Sequence, residues 1–492
     1  MTPEQILRKK SFAIPLPSDH PGFKPLSQKG IDVLPMNGIK FIERTQDDFL
    51  REYNPNSHAI KSLVYYPNSI FKDMSSGKLR AKVHTRISVA YQEMIKTKRK
   101  TALIGNNVGM KLITNRGRAT AEDMLARYRE GWEEFNMEIA IDKCIESDYI
   151  TGDCAVYVYM TESANKVGWR VFSYQNGDTL YPHFHPQTGE IALLGRKYRQ
   201  EDEDGNETDF LDVIDDTYFA TYKLDFLDGK QSWVVDMPPQ RHGFPQCPVA
   251  YHRRNDGPVW SASQSLIDNY ETGISQFCEY NMVYGLGILF TSGADFGIDT
   301  DNDGTPLHID SPDPNAKATF LDPASEGADG AFAKQLEILN RNIMRCSFAV
   351  ETPEIKSGAD MSSLTVKMLF ADSYLKALED SQEYQLFLDR VASLFKYAYG
   401  TVESIDFNEF KVKTYLEPFV FMSETEVINA LVQLTAAGVL SKQTATEIAY
   451  NSGYGTASEW ERILKETQAE LVASELANQA KNNSVNASRN QQ

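Results

Sequence analysis

The residues from Ala331 to Tyr399 constrain the fold most, because they read as two amphipathic helices joined by a polar loop. In the first helix, apolar side chains recur at steps of three and four, which is the period of one helical face. These residues are Phe332, Leu336, Leu339, Ile343 and Cys346. Within residues 351–360, Pro353 lacks a backbone donor and Gly358 permits a turn, so the sequence predicts a loop there.

A second helix is predicted from Leu364 to Tyr399, with Ser362 or Ser363 as its N-cap. At about 1.5 Å per residue it would be roughly 54 Å long if it were unbroken. Its apolar register changes after Gln382, which predicts a kink or a new packing partner. A long helix that follows a polar loop is typical of a subunit in a large ring or shaft.

The rest of the chain predicts an α+β fold. A helix begins near Thr120, a second covers Ile139 to Ile150, and residues 154–252 read as antiparallel strands separated by turns. Another amphipathic helix is predicted from Ser261 to Tyr284. The first 55 residues, rich in proline, read as an extended arm.

The charge and cysteine content narrow the function classes. A net charge of −18 argues against a protein that coats nucleic acid, but it permits DNA to slide past without sticking. The five cysteines are scattered and contain no Cys-x-x-Cys pair, which favours free buried thiols in a reducing cytoplasm. No segment reads as a signal peptide or a membrane span, so we expect a soluble, intracellular protein.

Five stretches, in this order, resemble the portal proteins of tailed double-stranded-DNA bacteriophages, of the siphophage type. They are the strand after a Gly-Asp turn (149–159), the hairpin of Gly189 to Tyr198, Ser265 to Tyr270, Leu336 to Ile343, and Gly438 to Thr444. The resemblance covers nearly the whole chain and implies a portal fold, with wing, helical stem, small α/β clip and helical crown, that assembles as a ring.

The resemblance also implies a division of the chain. Its parts are an N-terminal arm (1–55), a wing of helices then antiparallel sheet (56–257), a stem helix (258–285), a clip (286–328), a second stem helix (329–346), a tunnel loop (347–362), a long wing helix and strand (363–421), a crown (422–476) and a disordered tail (477–492). The arm goes beyond the family's minimal pattern.

The function implied by the resemblance is that of a non-enzymatic portal without cofactors. About twelve copies would form a ring at one capsid vertex, through which DNA is packaged and later ejected. The implied partners are further copies of the chain, double-stranded DNA, the terminase large subunit, a head-tail adaptor, and the major capsid and scaffolding proteins, with no membrane. The implied location is the virion's portal vertex, and the host cytoplasm during assembly.

Two sets of residues are candidates for contact with DNA. The tunnel loop offers Thr352, Glu354, Lys356, Ser357, Gly358 and Asp360. The second stem helix carries Lys334, Arg341 and Arg345, here called the basic row, opposite its apolar face. The basic row can bind phosphates or pair with Asp268, Glu271 and Glu279 of the first stem helix, and we favour the pairing.

Two weaker patterns suggest metals. Asp299, Asp301 and Asp303, with Asp310 at the twelfth position, fit part of an EF-hand calcium loop, although an acidic turn in the clip is the simpler interpretation. His183 and His185 share one face of a predicted strand, but no third ligand accompanies them, so surface residues of a strand are the simpler interpretation. A metal-dependent α+β enzyme using either set is the alternative to a portal. No phosphate-binding loop or catalytic triad is visible.

Overall fold

The computed structural model of the protein describes the following residues, and every statement below concerns them: 1–8, 13–17, 41–72, 79–105, 108–113, 118–161, 166–201, 205–227, 230–284, 288–292, 297–300, 306–310, 317–321, 326–350, 363–407, 411–419, 424–451 and 460–468.

The α+β class predicted from the sequence is confirmed. The helices are α1 (Pro3–Ile6), α2 (Gln46–Tyr53), α3 (Tyr91–Ile104), α4 (Arg118–Glu134), α5 (Met137–Thr151), α6 (Gln264–Tyr284), α7 (Glu326–Cys346), α8 (Ser363–Glu383), α9 (Gln385–Glu403), α10 (Glu424–Ala436) and α11 (Lys442–Asn451). The strands are β1 (Ala13–Pro17), β2 (Phe41–Thr45), β3 (Ser69–Lys72), β4 (Leu79–Lys82), β5 (Val108–Leu112), β6 (Asp153–Thr161), β7 (Lys166–Phe172), β8 (Thr179–Phe184), β9 (Ile191–Glu201), β10 (Glu207–Ile214), β11 (Tyr218–Leu227), β12 (Lys230–Arg241), β13 (Val249–Arg253), β14 (Ile288–Ser292), β15 (Gly297–Thr300), β16 (Pro306–Asp310), β17 (Lys317–Leu321) and β18 (Val412–Leu416).

The main core lies where α5 and α9 pack on the three-stranded sheet β13-β6-β7. Helix α5 is apolar around most of its circumference, so it is buried on several sides. Gly152 then takes a left-handed conformation (φ 83°), and its amide donates to Asp148 O at 2.8 Å. This turn ends α5 and sends the chain straight into β6. Asp148 and Asp153, which lie on either side of this turn, are both buried.

Strands β8 to β12 form a second sheet, an antiparallel meander in the order β12-β11-β10-β9-β8. The N-terminal helix α1 packs on it through the fully buried Ile6. A Cβ atom on Gly195 of β9 would lie 2.5 Å from Ile6 Cγ2, so this strand position requires glycine. Part of the predicted arm thus lies on the chain's own sheet, and α2 gives residues 46–53 a helical structure that the proline content did not predict.

Helices α6 and α7 pack against each other. The rings of Phe277 and Phe332 stack with centroids 5.4 Å apart. The Ser263 hydroxyl, just before α6, donates to Ile343 O of α7 at 3.1 Å. Between the two helices the chain forms two small antiparallel sheets of two strands each, β14 with β17 and β15 with β16.

The chain divides into two compact units. One contains residues 1–355 and 371–419, and the other contains residues 356–370 and 420–492. In the second unit, α10 and α11 follow each other and pack together. Among the described helices, none has the length and apolar character that a bilayer span requires.

The kink predicted in the long helix is confirmed, because the chain breaks at Tyr384 into α8 and α9. Helix α4 begins at Arg118 rather than at the predicted Thr120. Helix α3 was not predicted, since its apolar side chains are interrupted by Lys96, Lys98 and Arg99. Of the five free cysteines, three are buried but Cys346 is exposed, so the prediction of buried thiols is wrong for that residue.

Candidate functional site

The basic row lies on the exposed side of α7. Lys334, Arg341 and Arg345 are exposed, whereas Ile343 and Met344 of the same helix are buried. Arg341 pairs with Glu337 one turn earlier, with Nη2 2.6 Å from Oε1. Both members of this pair are more than half exposed, so water screens their attraction and the pair contributes little stability.

Two acidic side chains of α6 contact the segment that precedes α3. Glu271 is fully buried, and its Oε1 accepts from Val89 N at 2.8 Å and lies 2.7 Å from His58 Nδ1. Glu279 Oε2 lies 2.6 Å from His84 Nδ1. The observed partners of these two acids within one subunit are therefore histidines, and their pairing with the basic row stays a prediction. Both contacts attach α6 to the segment that precedes α3.

Asp268, a third acidic residue of α6, is also buried. Its Oδ1 accepts from the Gln264 amide at 3.0 Å, and the residue is 4% exposed. Burial, with a smaller contribution from the nearby Glu52, raises the pKa of Asp268 to about 7. A carboxyl with this pKa is a poor partner for a surface cation at neutral pH.

A cluster of buried charges holds the C-terminal half of α8 against α3, α5 and β13. Its members, here called the buried charge cluster, are Arg99, Asp148, His252, Arg254 and Asp380. Arg99 donates to Asp380 Oδ2, and the Tyr149 hydroxyl donates to the same oxygen at 3.1 Å. The Tyr384 hydroxyl donates to Asp148 at the break between α8 and α9.

The pKa values of the two acids in this cluster shift in opposite directions. Burial disfavours ionisation of Asp380, but the guanidinium groups of Arg99 and Arg254 hold its pKa below the usual value. Burial raises the pKa of Asp148, against the attraction of His252 and Arg254. None of these residues was predicted from the sequence to have a role. Asp380 lies in a stretch that was predicted to be helical, but nothing in the sequence showed that it pairs with Arg99.

The tunnel-loop candidates Thr352, Glu354, Lys356, Ser357, Gly358 and Asp360 lie outside the described residues. The chain is described again from Ser363, where α8 begins. Just before the loop, the Lys98 ammonium of α3 donates to Val350 O. This contact attaches the segment that follows α7 to helix α3.

Among the metal candidates that the structure describes, none is brought together with further ligands. His183 is buried, and its Nε2 lies 3.3 Å from Ile6 O, so it supports α1 rather than lying on the surface as the simpler interpretation held. Asp299 and Asp310 lie on the paired strands β15 and β16 instead of between helices, while Asp301 and Asp303 fall outside the described residues. In the described part of the chain, no three His, Cys, Asp or Glu residues are placed to hold a metal.

The sequence matches a family model described as "Phage portal protein, SPP1 Gp6-like" over residues 40–472. Among solved structures, one chain in "Neck of empty GTA particle computed with C6 symmetry" is 11% identical, with a TM-score of 0.35; the alignment covers 74% of this chain and 90% of that chain. That likeness is too low for a comparison of the two folds. No curated protein sequence matches the chain.

Proposed function

Because the chain belongs to the SPP1 Gp6-like family of phage portal proteins, we propose that about twelve copies form a closed ring around a DNA channel at one capsid vertex. The family match carries this proposal, since it extends over residues 40–472 and includes both helices of the α6–α7 pair. Residues 56–257 would form the wing, 286–328 the clip, 347–362 the tunnel loop and 422–476 the crown.

The ring would have a mechanical and electrostatic function. An acidic protein repels the phosphate backbone, so a duplex passes without binding tightly, and a few exposed cations grip it transiently. The exposure of Lys334 and Arg345 supports the basic row as one such contact, and Lys356 in the loop is the other candidate. A separate ATP-driven motor would supply the work of packaging.

The partners follow from a position at the vertex. The clip would contact the terminase large subunit during packaging and a head-tail adaptor afterwards, while the wing and crown would meet the capsid and scaffolding proteins. The proposed location is the virion, after assembly in the host cytoplasm. The family is structural rather than enzymatic, and this favours the portal over the metal-dependent enzyme.

Electron microscopy and native mass spectrometry of the purified full chain test the proposal. We expect closed rings with a central pore and a mass close to a dozen times 55.5 kDa. A particle of 55.5 kDa at micromolar concentration would contradict it. A monomer that also bound a divalent metal would favour the enzyme instead.

A further inference from the structure

The hairpin β3–β4 is an isolated sheet with an uncovered apolar face. It contains two antiparallel strands and, among the described residues, no third. Ile70 pairs with Ala81, and Leu79 pairs with Lys72, so this register places Ile70 and Leu79 on the same face. Their exposed fractions are 72% and 75%, and Val83, just after β4, is 71% exposed. A two-stranded hairpin on its own is marginally stable in water, so a face of this kind favours a partner.

The base of the hairpin is held firmly beside α6. The Ser69 amide donates to His84 Nε2 at 3.2 Å, so that nitrogen is an acceptor and the proton is on Nδ1. His84 Nδ1 in turn donates to Glu279 of α6 at 2.6 Å. The Arg86 guanidinium donates to Tyr66 O at 2.9 Å and closes the other side of the base. The apolar face is thus presented in a fixed place next to one of the paired helices.

The segment that contains the hairpin and its base, residues 61–86, has a net positive charge, whereas the whole chain is negatively charged. Residues 61–86 contain six lysines and arginines and a single acid, Asp73, although the whole chain has 50 basic and 68 acidic residues. In a ring, each copy presents one surface to a different surface of the next copy. A basic, apolar segment on an otherwise acidic chain has the charge complementarity that such a head-to-tail contact needs.

DNA fits this surface less well than a second copy does. Contacts to phosphates are made by basic and polar groups, and a phosphate backbone offers nothing to cover two aliphatic side chains that are three-quarters exposed. Apolar centres surrounded by charge are instead typical of contacts between proteins.

We propose that the β3–β4 hairpin, together with Val83, docks onto the acidic surface of the neighbouring copy and forms one side of the subunit contact. This inference rests on the proposed ring. The hairpin would be covered in the assembly and uncovered in the free subunit, and each copy would use it once because the contact is head-to-tail.

The first test is the double variant Ile70→Ser/Leu79→Ser in the full chain. We expect the subunit concentration at half-assembly, followed by native mass spectrometry and light scattering, to rise at least tenfold, because every interface between subunits would bury two fewer aliphatic side chains. The matched control is Phe226→Ser on the β11–β12 hairpin, where Phe226 is 71% exposed, and it should assemble like the wild type. Circular dichroism confirms that each variant is folded.

Hydrogen exchange of the wild type tests the same contact without a substitution. Amides of residues 69–72 and 79–82 should exchange slowly in assembled rings and fast in dilute monomer, while the tip of the β11–β12 hairpin should not change. A wild type that never forms rings would overturn the proposed function and this inference together. Rings that form equally well in the double variant, without added protection of the hairpin, would overturn this inference alone. Weaker binding of a short DNA duplex by such rings would assign the hairpin to DNA instead.

Discussion

The buried charge cluster and helix α7 each place an arginine beside a carboxylate, but the two pairs differ in burial. In the buried charge cluster, Arg99 and Asp380 are 7% and 1% exposed, whereas Arg341 and Glu337 on α7 are 51% and 65% exposed. A buried ion pair is costly to form and more costly to break, because the remaining charge has no water around it. An exposed pair exchanges readily with water and salt. The same chemistry therefore holds the fold together in one place and remains available to a ligand in the other.

The substitution Asp380→Asn, in the buried charge cluster, should cause the largest loss of stability. The change leaves Arg99 buried without its compensating charge, which typically costs about 3–5 kcal/mol. Urea unfolding followed by tryptophan fluorescence measures the loss. The matched control Glu337→Gln, on the exposed pair, should change the free energy of unfolding by less than about 0.5 kcal/mol.

A double substitution sharpens the same comparison. Arg99→Met with Asp380→Leu removes both charges and keeps apolar volume, so it should be less destabilising than Asp380→Asn alone. If Asp380→Asn were no more harmful than Glu337→Gln, the cluster would not hold α8 in place.

The pH dependence of stability gives the second prediction, at Asp153, close to the buried charge cluster. Burial, against the hydrogen bond from Gln46, raises the pKa of Asp153 to about 7, with Asp148 adding to the shift. The unfolded carboxyl titrates near 3.8, so between about pH 4 and pH 7 the folded state retains a proton that the unfolded state has lost. This contribution to stability is therefore complete below pH 4 and disappears as the pH rises through 7.

The substitution Asp153→Asn removes this difference in protonation between the folded and unfolded states, and it keeps a polar group of similar shape beside Gln46. Urea unfolding at several pH values should show that the variant loses less stability than the wild type between pH 4 and pH 7, by at most about 1.4 kcal/mol per pH unit. At pH 4, where the wild-type carboxyl is also protonated when folded, the two proteins should have similar stability. Equal slopes in the two proteins would contradict the raised pKa.

The sequence predicted the periodic parts of this fold and missed the parts that depend on distant partners. The apolar face of α7 and the break between α8 and α9 follow from local spacing, so they were predictable. Helix α3 was not, because its Lys96 and Arg99 are paired with Glu146 and with Asp380, which is 281 residues away from Arg99. When the apolar period of a helix is sought in one sequence, charged residues such as these are taken to face solvent.

The candidate site shows the same limit. The spacing of Lys334, Arg341 and Arg345 was enough to place them on the face opposite Ile343. It was not enough to identify the partners of the acids on α6, since His58 and His84 lie about 200 residues earlier and bring no periodic signal. Which way an amphipathic helix turns its polar side depends on what packs there, and that information is not local.

The double charge reversal Lys334→Glu/Arg345→Glu should have the smallest effect on stability. It is also the most direct test of whether the exposed basic row contacts DNA. Both side chains are exposed, so the free energy of unfolding should change by less than about 0.5 kcal/mol and rings should still form. Binding of linear duplex DNA to the rings should weaken, and the dependence of log affinity on log salt should become shallower by roughly one for each phosphate that the protein no longer neutralises. Lys230→Glu, on the exposed strand β12, is the control with the same type of charge change and should bind DNA like the wild type. Arg341 is left unchanged because Glu337 already offsets part of its charge. If the double variant and the control bound DNA equally at every salt concentration, the basic row would have no contact with DNA, and the exposed charges of α7 would serve only solubility.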